Sequence, residues 1–237
     1  MNNMTAWLDQ KLYPDFDRNW DDRMFREAIL KQLTPEMEIL DLGAGAGIVE
    51  QMNFRGKAAR ICGVDLDPRV AQNPFLDEGR VSDAGEIPYP DDSFDLVFSD
   101  NVLEHLAEPE KVFSEVARVL KRGGIFLFKT PNKWHYMPTI ARVTPHRFHE
   151  YINRKRGREE VDTFPTLYRA NTKGDVTNLA KQTSFDVIQI DRIEGRPEYL
   201  RINPVTYLLG ALYERLVNTL TLFAPLRVLL IGSLRKN

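Results

Sequence analysis

The stretch ILDLGAGAGIVE, residues 39–50, is the most informative segment of this chain. A short apolar run ends at Asp41, and Gly43, Gly45 and Gly47 then follow at alternating positions. Glycine lets the backbone turn sharply and lets a ligand approach where any Cβ would collide with it. The pattern predicts a strand, a tight turn and a short helix, with a ligand held at the carboxyl end of the strand.

Strands and helices alternate on both sides of this turn. Two stretches, 24–33 and 110–121, have the apolar periodicity of helices. Three apolar runs are predicted to be strands: 60–68, 93–100 and 124–132. Nearly continuous apolar strands between helices are typical of a parallel sheet that is covered on both faces. The sequence therefore predicts an α/β fold with an open, doubly wound sheet.

The glycine spacing argues against a dinucleotide site. The fingerprint G-x-G-x-x-G started at Gly43 requires glycine where Ile48 stands, and started at Gly45 it requires glycine where Glu50 stands. A nicotinamide-dependent oxidoreductase is therefore disfavoured. The motif Asp-Leu-Gly-Ala-Gly-Ala-Gly instead resembles the first motif of class I S-adenosylmethionine-dependent methyltransferases, close to the ubiquinone and menaquinone biosynthesis group.

The next two strands extend this resemblance, which covers about residues 36–132. Asp65 ends the second strand, where a carboxylate can accept hydrogen bonds from both hydroxyls of a ribose. The resemblance implies S-adenosylmethionine as cofactor and a Rossmann-like, seven-stranded, mainly parallel sheet with an inserted lid segment after strand five. The implied cofactor-binding residues are Asp41, Gly43, Ala44, Gly45, Gly47, Asp65, Leu66, Asp83, Ala84, Ser99 and Asn101.

Histidines are the candidates for a general base. His105 follows the fourth strand, near where acceptors approach in this fold, and His135, His146 and His149 lie in the predicted insertion. For each of them a structural role, such as a bond to the backbone, is the alternative. We predict no metal: some related enzymes hold magnesium with Glu-x-x-Glu-His, and Asn101 stands here in place of the first glutamate.

The chain as a whole is predicted to form one methyltransferase domain. It comprises a cofactor-binding core at 24–132, an inserted substrate or lid segment at 133–172, and C-terminal helices and strands at 173–237 that complete the sheet. A chain of 237 residues with 43% hydrophobic and 28% charged residues fits a globular fold of this size.

The net charge, the start of the chain and one basic run bear on the expected partners and location of the protein. The formal net charge of −2 gives no overall electrostatic footprint for nucleic acid, so no nucleic-acid partner is expected. The start of the chain lacks the basic and apolar regions of a secretory signal, and a cytoplasmic protein is expected. The basic run 154–158 is a solvated loop, a binding site for an anionic small molecule, or an RNA contact. The oligomeric state is left open.

A helix is predicted at about 205–223, with an apolar stripe formed by Leu209, Leu212, Tyr213, Leu216, Leu220 and Phe223. Charged residues and Pro225 interrupt the stretch, so a membrane span is not expected. A core helix is the favoured interpretation. Attachment to a membrane surface is the alternative, because the helix is long and rich in leucine and tyrosine.

The sequence therefore predicts an S-adenosylmethionine-dependent methyltransferase that acts on a small-molecule acceptor. Two alternatives remain: a non-catalytic module that only binds the cofactor, and a membrane-surface enzyme with a lipid-linked acceptor. The residues do not distinguish oxygen, nitrogen or carbon as the methylated atom.

Overall fold

The computed structural model describes residues 3–16, 19–143 and 165–237. Two of the candidate histidines, His146 and His149, lie outside these residues, as does the basic run 154–158.

Helices and strands alternate along the described chain. The helices are α1 (Asn3–Leu12), α2 (Trp20–Leu30), α3 (Pro109–Val119), α4 (Tyr136–Val143), α5 (Lys173–Gln182) and α6 (Pro204–Thr219). The strands are β1 (Glu38–Leu42), β2 (Arg60–Asp65), β3 (Glu78–Val81), β4 (Phe94–Asp100), β5 (Leu120–Pro131), β6 (Phe185–Ile193) and β7 (Leu229–Lys236). None of the described helices combines the length and the apolarity that a membrane span requires.

The seven strands form one sheet in the order β3-β2-β1-β4-β5-β7-β6. Strand β1 pairs in parallel with β2 and β4, β3 pairs in parallel with β2, and β5 in parallel with β4. The order reverses at β1, and at such a switch point the carboxyl ends of the strands leave a crevice for a ligand. The predicted α/β, Rossmann-like, seven-stranded and mainly parallel sheet is confirmed.

Side chains that alternate along the strands build two apolar layers. On one face, Leu40 and Val97 belong to a buried cluster with Val116 of α3 and Val176 of α5. On the other face, Ile39, Leu96 and Phe98 pack with residues of α2. Both faces of the sheet are therefore covered, as expected for strands that read as almost continuous apolar runs.

The chain divides into two compact units. The sheet unit consists of Arg18–Thr130, Leu167–Asp191 and Leu230–Asn237, and the helical unit consists of Met1–Asp17, Pro131–Thr166 and Arg192–Leu229. The single-domain organisation predicted from the sequence, with its boundaries at 24–132, 133–172 and 173–237, stays a prediction.

Two local expectations differ from the structure. The glycine turn leads into a single 3-10 turn at Glu50–Met52 and not into a regular helix. Helix α3 ends at Val119 and not at residue 121, and β5 begins at Leu120 and not at residue 124, so that Gly123 lies inside the strand. Gly123 has a positive φ of 79°, which a strand tolerates at an irregular position.

The C-terminal helix packs into a buried cluster, as expected for a core helix, but the predicted apolar stripe is not its buried side. Of the predicted core stripe, Leu209, Leu212, Leu216 and Leu220 are 42–66% exposed. The buried residues of α6 are instead Tyr207, Gly210, Ala211, Glu214 and Val217. The helical period was read correctly, but small and hydrogen-bonded residues, rather than the leucines, face the protein.

Candidate cofactor site

The glycine loop leaves the carboxyl end of β1 in a conformation that favours glycine. Gly43, Gly45 and Gly47 have φ angles of 88°, 51° and 70°. The amide of Gly43 donates to the carbonyl of Val64 at 2.8 Å, which fastens the turn to the end of β2. Glycine adopts these angles without the strain that a side chain would add.

Two side chains hold the loop in place. The Asp65 carboxylate accepts a hydrogen bond from the amide of Gly45 at 2.8 Å, and its other oxygen accepts from the amide of Asp67 at 2.8 Å. The buried Asn73 side chain donates to the carbonyl of Ala44 at 2.9 Å. The loop and the predicted ribose-binding carboxylate are therefore joined directly.

Gly43 has no room for a side chain. An added Cβ would lie 2.2 Å from the Cγ2 of Val102, whereas at Gly56, with a similar φ of 73°, it would meet nothing within 4 Å. We expect Gly43→Ala to lower the free energy of unfolding by about 1–3 kcal/mol more than Gly56→Ala, because only the first variant adds a clash to the backbone strain. Urea unfolding of both variants measures this, and equal losses would contradict the assigned packing.

The other predicted adenosine contacts lie beyond the ends of β2 and β3. Leu66 follows Asp65 and is 53% exposed, so its apolar surface is available to a ring. Asp83 is exposed, and its carboxylate accepts from the amide of Gly85 at 2.7 Å. Ala84 packs against the apolar cluster of the sheet unit. The amide of Ser82 donates to the carbonyl of Asp65 at 3.0 Å, which brings these two strand ends together.

The predicted methionine contacts lie at the end of β4. The Ser99 hydroxyl is fully buried and has no hydrogen-bond partner among the described residues. Asn101 is exposed and has a φ of 55°, and its amide donates to the carbonyl of Lys129 at 2.9 Å. A left-handed residue directly after a strand turns the chain sharply at the crevice.

Buried charge is concentrated at this end of the sheet. Asp41 is 6% exposed, and burial, together with the carboxylates of Asp100 and Asp65, raises its pKa well above the usual range. Burial also raises the pKa of Asp100 to about 6, although Lys129 opposes this shift. These carboxylates favour a neighbouring cation.

Lys129 of β5 is a cation of the chain itself that lies beside Asp100. Its side chain is fully buried, and its Nζ lies 3.0 Å from Asp100 and 3.1 Å from Asp21 and also contacts Asp22. Burial alone would lower the pKa of Lys129, but the three carboxylates outweigh it and raise the pKa above its ordinary value. The lysine thereby ties the first turn of α2 to the ends of β4 and β5.

Glu104 and His105 follow in a 3-10 turn after β4. Glu104 is buried, accepts a hydrogen bond from the Thr130 hydroxyl at 3.0 Å, and has a pKa raised by burial. The Asn171 amide in turn donates to the Thr130 hydroxyl at 2.7 Å. His105 is partly exposed, and its Nε2 lies 3.9 Å from Glu104. The carboxylate thus stands next to the candidate base.

His135 belongs to the helical unit and is almost completely buried. Its Nε2 lies 3.9 Å from the Glu194 carboxylate, and its ring is surrounded by Tyr136, Tyr199 and Tyr213. Burial lowers the pKa of His135 to about 3, so the ring is neutral at physiological pH. Its predicted catalytic role stays a prediction.

Sequence reasoning missed several residues that shape this site. They are Asn73, Asp100, Lys129 and Thr130. Lys129 had a signal, since a lysine inside the apolar run GIFLFKTPN requires a buried partner. Asn73 had no such signal in the sequence, because its function depends on the folded position of a loop that is distant in sequence.

Among the described residues, no group of three or more side chains is arranged to hold a metal.

Comparisons with known proteins agree with this architecture. Residues 40–128 match the family model described as a methyltransferase domain. A probable S-adenosylmethionine-dependent methyltransferase of Mycolicibacterium smegmatis is 36% identical over 113 residues, which cover 46% of this chain and 42% of that protein. The demethylmenaquinone methyltransferase of Tropheryma whipplei is 33% identical over 111 residues, 44% of this chain and 46% of that protein. The chain thus spans about half or less of these relatives.

A solved structure shows the same fold over almost the whole chain. It is an S-adenosylmethionine-dependent methyltransferase from Mesorhizobium loti, with a TM-score of 0.58 and 20% identity, covering 94% of this chain and 99% of that chain. Residues 40–128 therefore form a methyltransferase domain that is similar to S-adenosylmethionine-dependent methyltransferases, and the solved structure shares the fold.

Proposed function

We propose that this chain transfers a methyl group from S-adenosylmethionine to a small-molecule acceptor. One observation carries the proposal: the positive-φ glycine loop after β1 is fastened by the Asp65 carboxylate, at the crevice where the strand order reverses. When bound, the cofactor supplies an electrophilic methyl group, and the chain has to orient it and exclude water.

The residues present fit this cofactor. At Gly45 the loop offers open backbone, since a Cβ there would meet only the Asp65 carboxylate, at 3.9 Å. The Asp65 carboxylate retains acceptor capacity for ribose hydroxyls. The buried Ser99 hydroxyl lacks a partner among the described residues, so a ligand group would satisfy it. Asp41 and Asp100 favour positive charge, which suits the sulfonium and ammonium groups of the cofactor.

In this proposal each predicted residue has a role. Asp65 binds the ribose, Leu66 packs on the adenine face, and Asp83 with Ala84 binds the adenine edge. Ser99 and Asn101 hold the methionine end. Asp41 near the end of β1 lies beside it, and Gly43, Ala44, Gly45 and Gly47 form the loop that surrounds it.

His105 is the proposed base on the acceptor side. For a hydroxyl or ammonium acceptor it takes up the proton, and Glu104 stabilises the imidazolium that results. Glu104 is held by Thr130, so the pair is anchored to the end of β5. An anionic acceptor, which the basic run 154–158 would bind, remains part of the proposal, and that run lies outside the described residues.

Isothermal titration calorimetry tests the cofactor site. We expect the protein to bind S-adenosylmethionine and S-adenosylhomocysteine but not NADH. Asp65→Ala should weaken binding by about 1–3 kcal/mol, roughly 5- to 150-fold, because ribose hydroxyls and the Gly45 amide lose their acceptor.

Asp77→Ala is the matched control. Asp77 also accepts a backbone hydrogen bond, from Ile61 at 2.9 Å, but it lies at the opposite end of β2. Its loss should leave the affinity unchanged. A folded Asp65→Ala protein with wild-type affinity would refute the role of Asp65, and a folded wild type that binds neither adenosyl ligand would refute the proposed function.

A further inference from the structure

Helix α6 of the helical unit is amphipathic, but its most apolar side faces outward. Spacings of three and four residues place one row of side chains, here called the leucine stripe, on this side. The stripe consists of Val205, Leu208, Leu209, Leu212, Leu216 and Leu220, which are 42–68% exposed. No charged residue belongs to it. Contiguous exposed apolar surface of this kind marks an interaction site.

The opposite side of α6 is held in place by specific contacts. The buried Glu214 carboxylate accepts from the Tyr13 hydroxyl at 2.9 Å and from the Asn218 amide at 2.7 Å. The Tyr207 hydroxyl donates to Asp9 at 2.8 Å. A Cβ on Gly210 would lie 2.6 Å from Pro197. The helix cannot rotate to bury its leucines without breaking these contacts, so their exposure is specified by the fold.

The same unit exposes further apolar side chains and carries positive charge. On α1, Met4 and Trp7 are 53% and 52% exposed, and Leu222 after α6 is 80% exposed. The described residues of this unit include eight Lys and Arg against five Asp and Glu, an excess of three positive charges. The whole chain has a net charge of −2, so the positive excess is confined to the unit that carries the stripe.

We propose that the leucine stripe docks on the surface of an anionic lipid bilayer. Leucine and valine side chains enter the boundary between headgroups and acyl chains, and a tryptophan such as Trp7 is favoured at that depth. The positive excess of the unit attracts anionic headgroups. A symmetric pairing with a second copy would bring two stripes together but would also oppose two units of the same charge, which favours lipid as the occupant.

Vesicle flotation of the full chain tests this surface. We expect binding to vesicles of an equal mixture of phosphatidylcholine and phosphatidylglycerol, weaker binding to phosphatidylcholine alone, and release by added salt. The double variant Leu209→Glu and Leu212→Glu should reduce the partition coefficient at least about tenfold, because two carboxylates replace exposed apolar surface. Calorimetry with S-adenosylmethionine shows whether each variant stays folded and keeps the cofactor site.

The matched control is Val187→Glu with Ile188→Glu. These residues of β6 are 37% and 43% exposed and belong to the sheet unit, so vesicle binding should persist. Absence of wild-type binding to the anionic vesicles, or equal binding by the stripe variant, would overturn the proposal. A dimer in sedimentation velocity that the stripe variant dissociates, without vesicle binding, would assign the stripe to a second copy instead.

Discussion

Lys129→Met should lower the free energy of unfolding by about 3–5 kcal/mol, the loss expected when one partner of a buried ion pair is removed. The Lys129 side chain is fully buried and lies within ion-pair distance of Asp21, Asp22 and Asp100. Methionine fills a similar volume, so the loss of stability measures the effect of removing the charge and not the effect of a cavity. Three neighbouring carboxylates are left without their cation, and the first turn of α2 loses its attachment to β5.

Urea unfolding at neutral pH measures this loss. Lys121→Met is the control, because Lys121 pairs with Asp95 at 2.8 Å but its side chain is 42% exposed. An exposed pair contributes about 0–1 kcal/mol, so this variant should unfold at nearly the wild-type midpoint. Equal losses in both variants, or a loss below about 1 kcal/mol for Lys129→Met, would show that the buried cluster does not depend on the lysine.

Glu194→Gln should stabilise the protein, and the gain should grow with pH. Burial and the nearby Glu214 raise the pKa of Glu194 to about 8, although the Val228 amide and Arg227 oppose the shift. A carboxyl group whose pKa is higher in the folded state than its ordinary 4.5 favours folding when protonated. That contribution is present below pH 4.5 and is lost as the pH rises towards 8.

Glutamine mimics the protonated form and still accepts the Val228 amide, which lies 2.9 Å from the Glu194 carboxylate. The gain should therefore be small near pH 5 and reach roughly 2–4 kcal/mol at pH 8. Urea unfolding at the two pH values measures it. Glu110→Gln, at an exposed position of α3, should change stability by less than about 0.5 kcal/mol at either pH. A gain that does not vary with pH would contradict the raised pKa.

The succession of strands and helices could be predicted because its signals are local. The apolar runs that became β1, β2 and β4 are buried on both faces, and such runs between helical patterns indicate a parallel sheet. The exact ends were less accurate, as at Gly123, because hydrogen bonds to β4 decide where β5 begins.

Part of the candidate site could also be predicted from spacing. The glycine loop and Asp65 each follow a strand, and parallel strands end at the same edge of a sheet, so the structure brings them within hydrogen-bond distance. Asn73 and Lys129 could not be assigned in this way. Each makes its decisive contacts with residues at least 28 positions away, and no local pattern encodes such partners.

By itself, the sequence determined the class of fold, the position of the glycine loop and the existence of an amphipathic C-terminal helix, because periodicity and turn chemistry act over a few residues. Which side of that helix faces the protein depends on long-range contacts. Burial of the leucines would have been the simplest solution, but Tyr207 and Glu214 find hydrogen-bond partners on α1 and just after it, and Gly210 permits close packing. Contacts between distant segments therefore left the leucine stripe exposed.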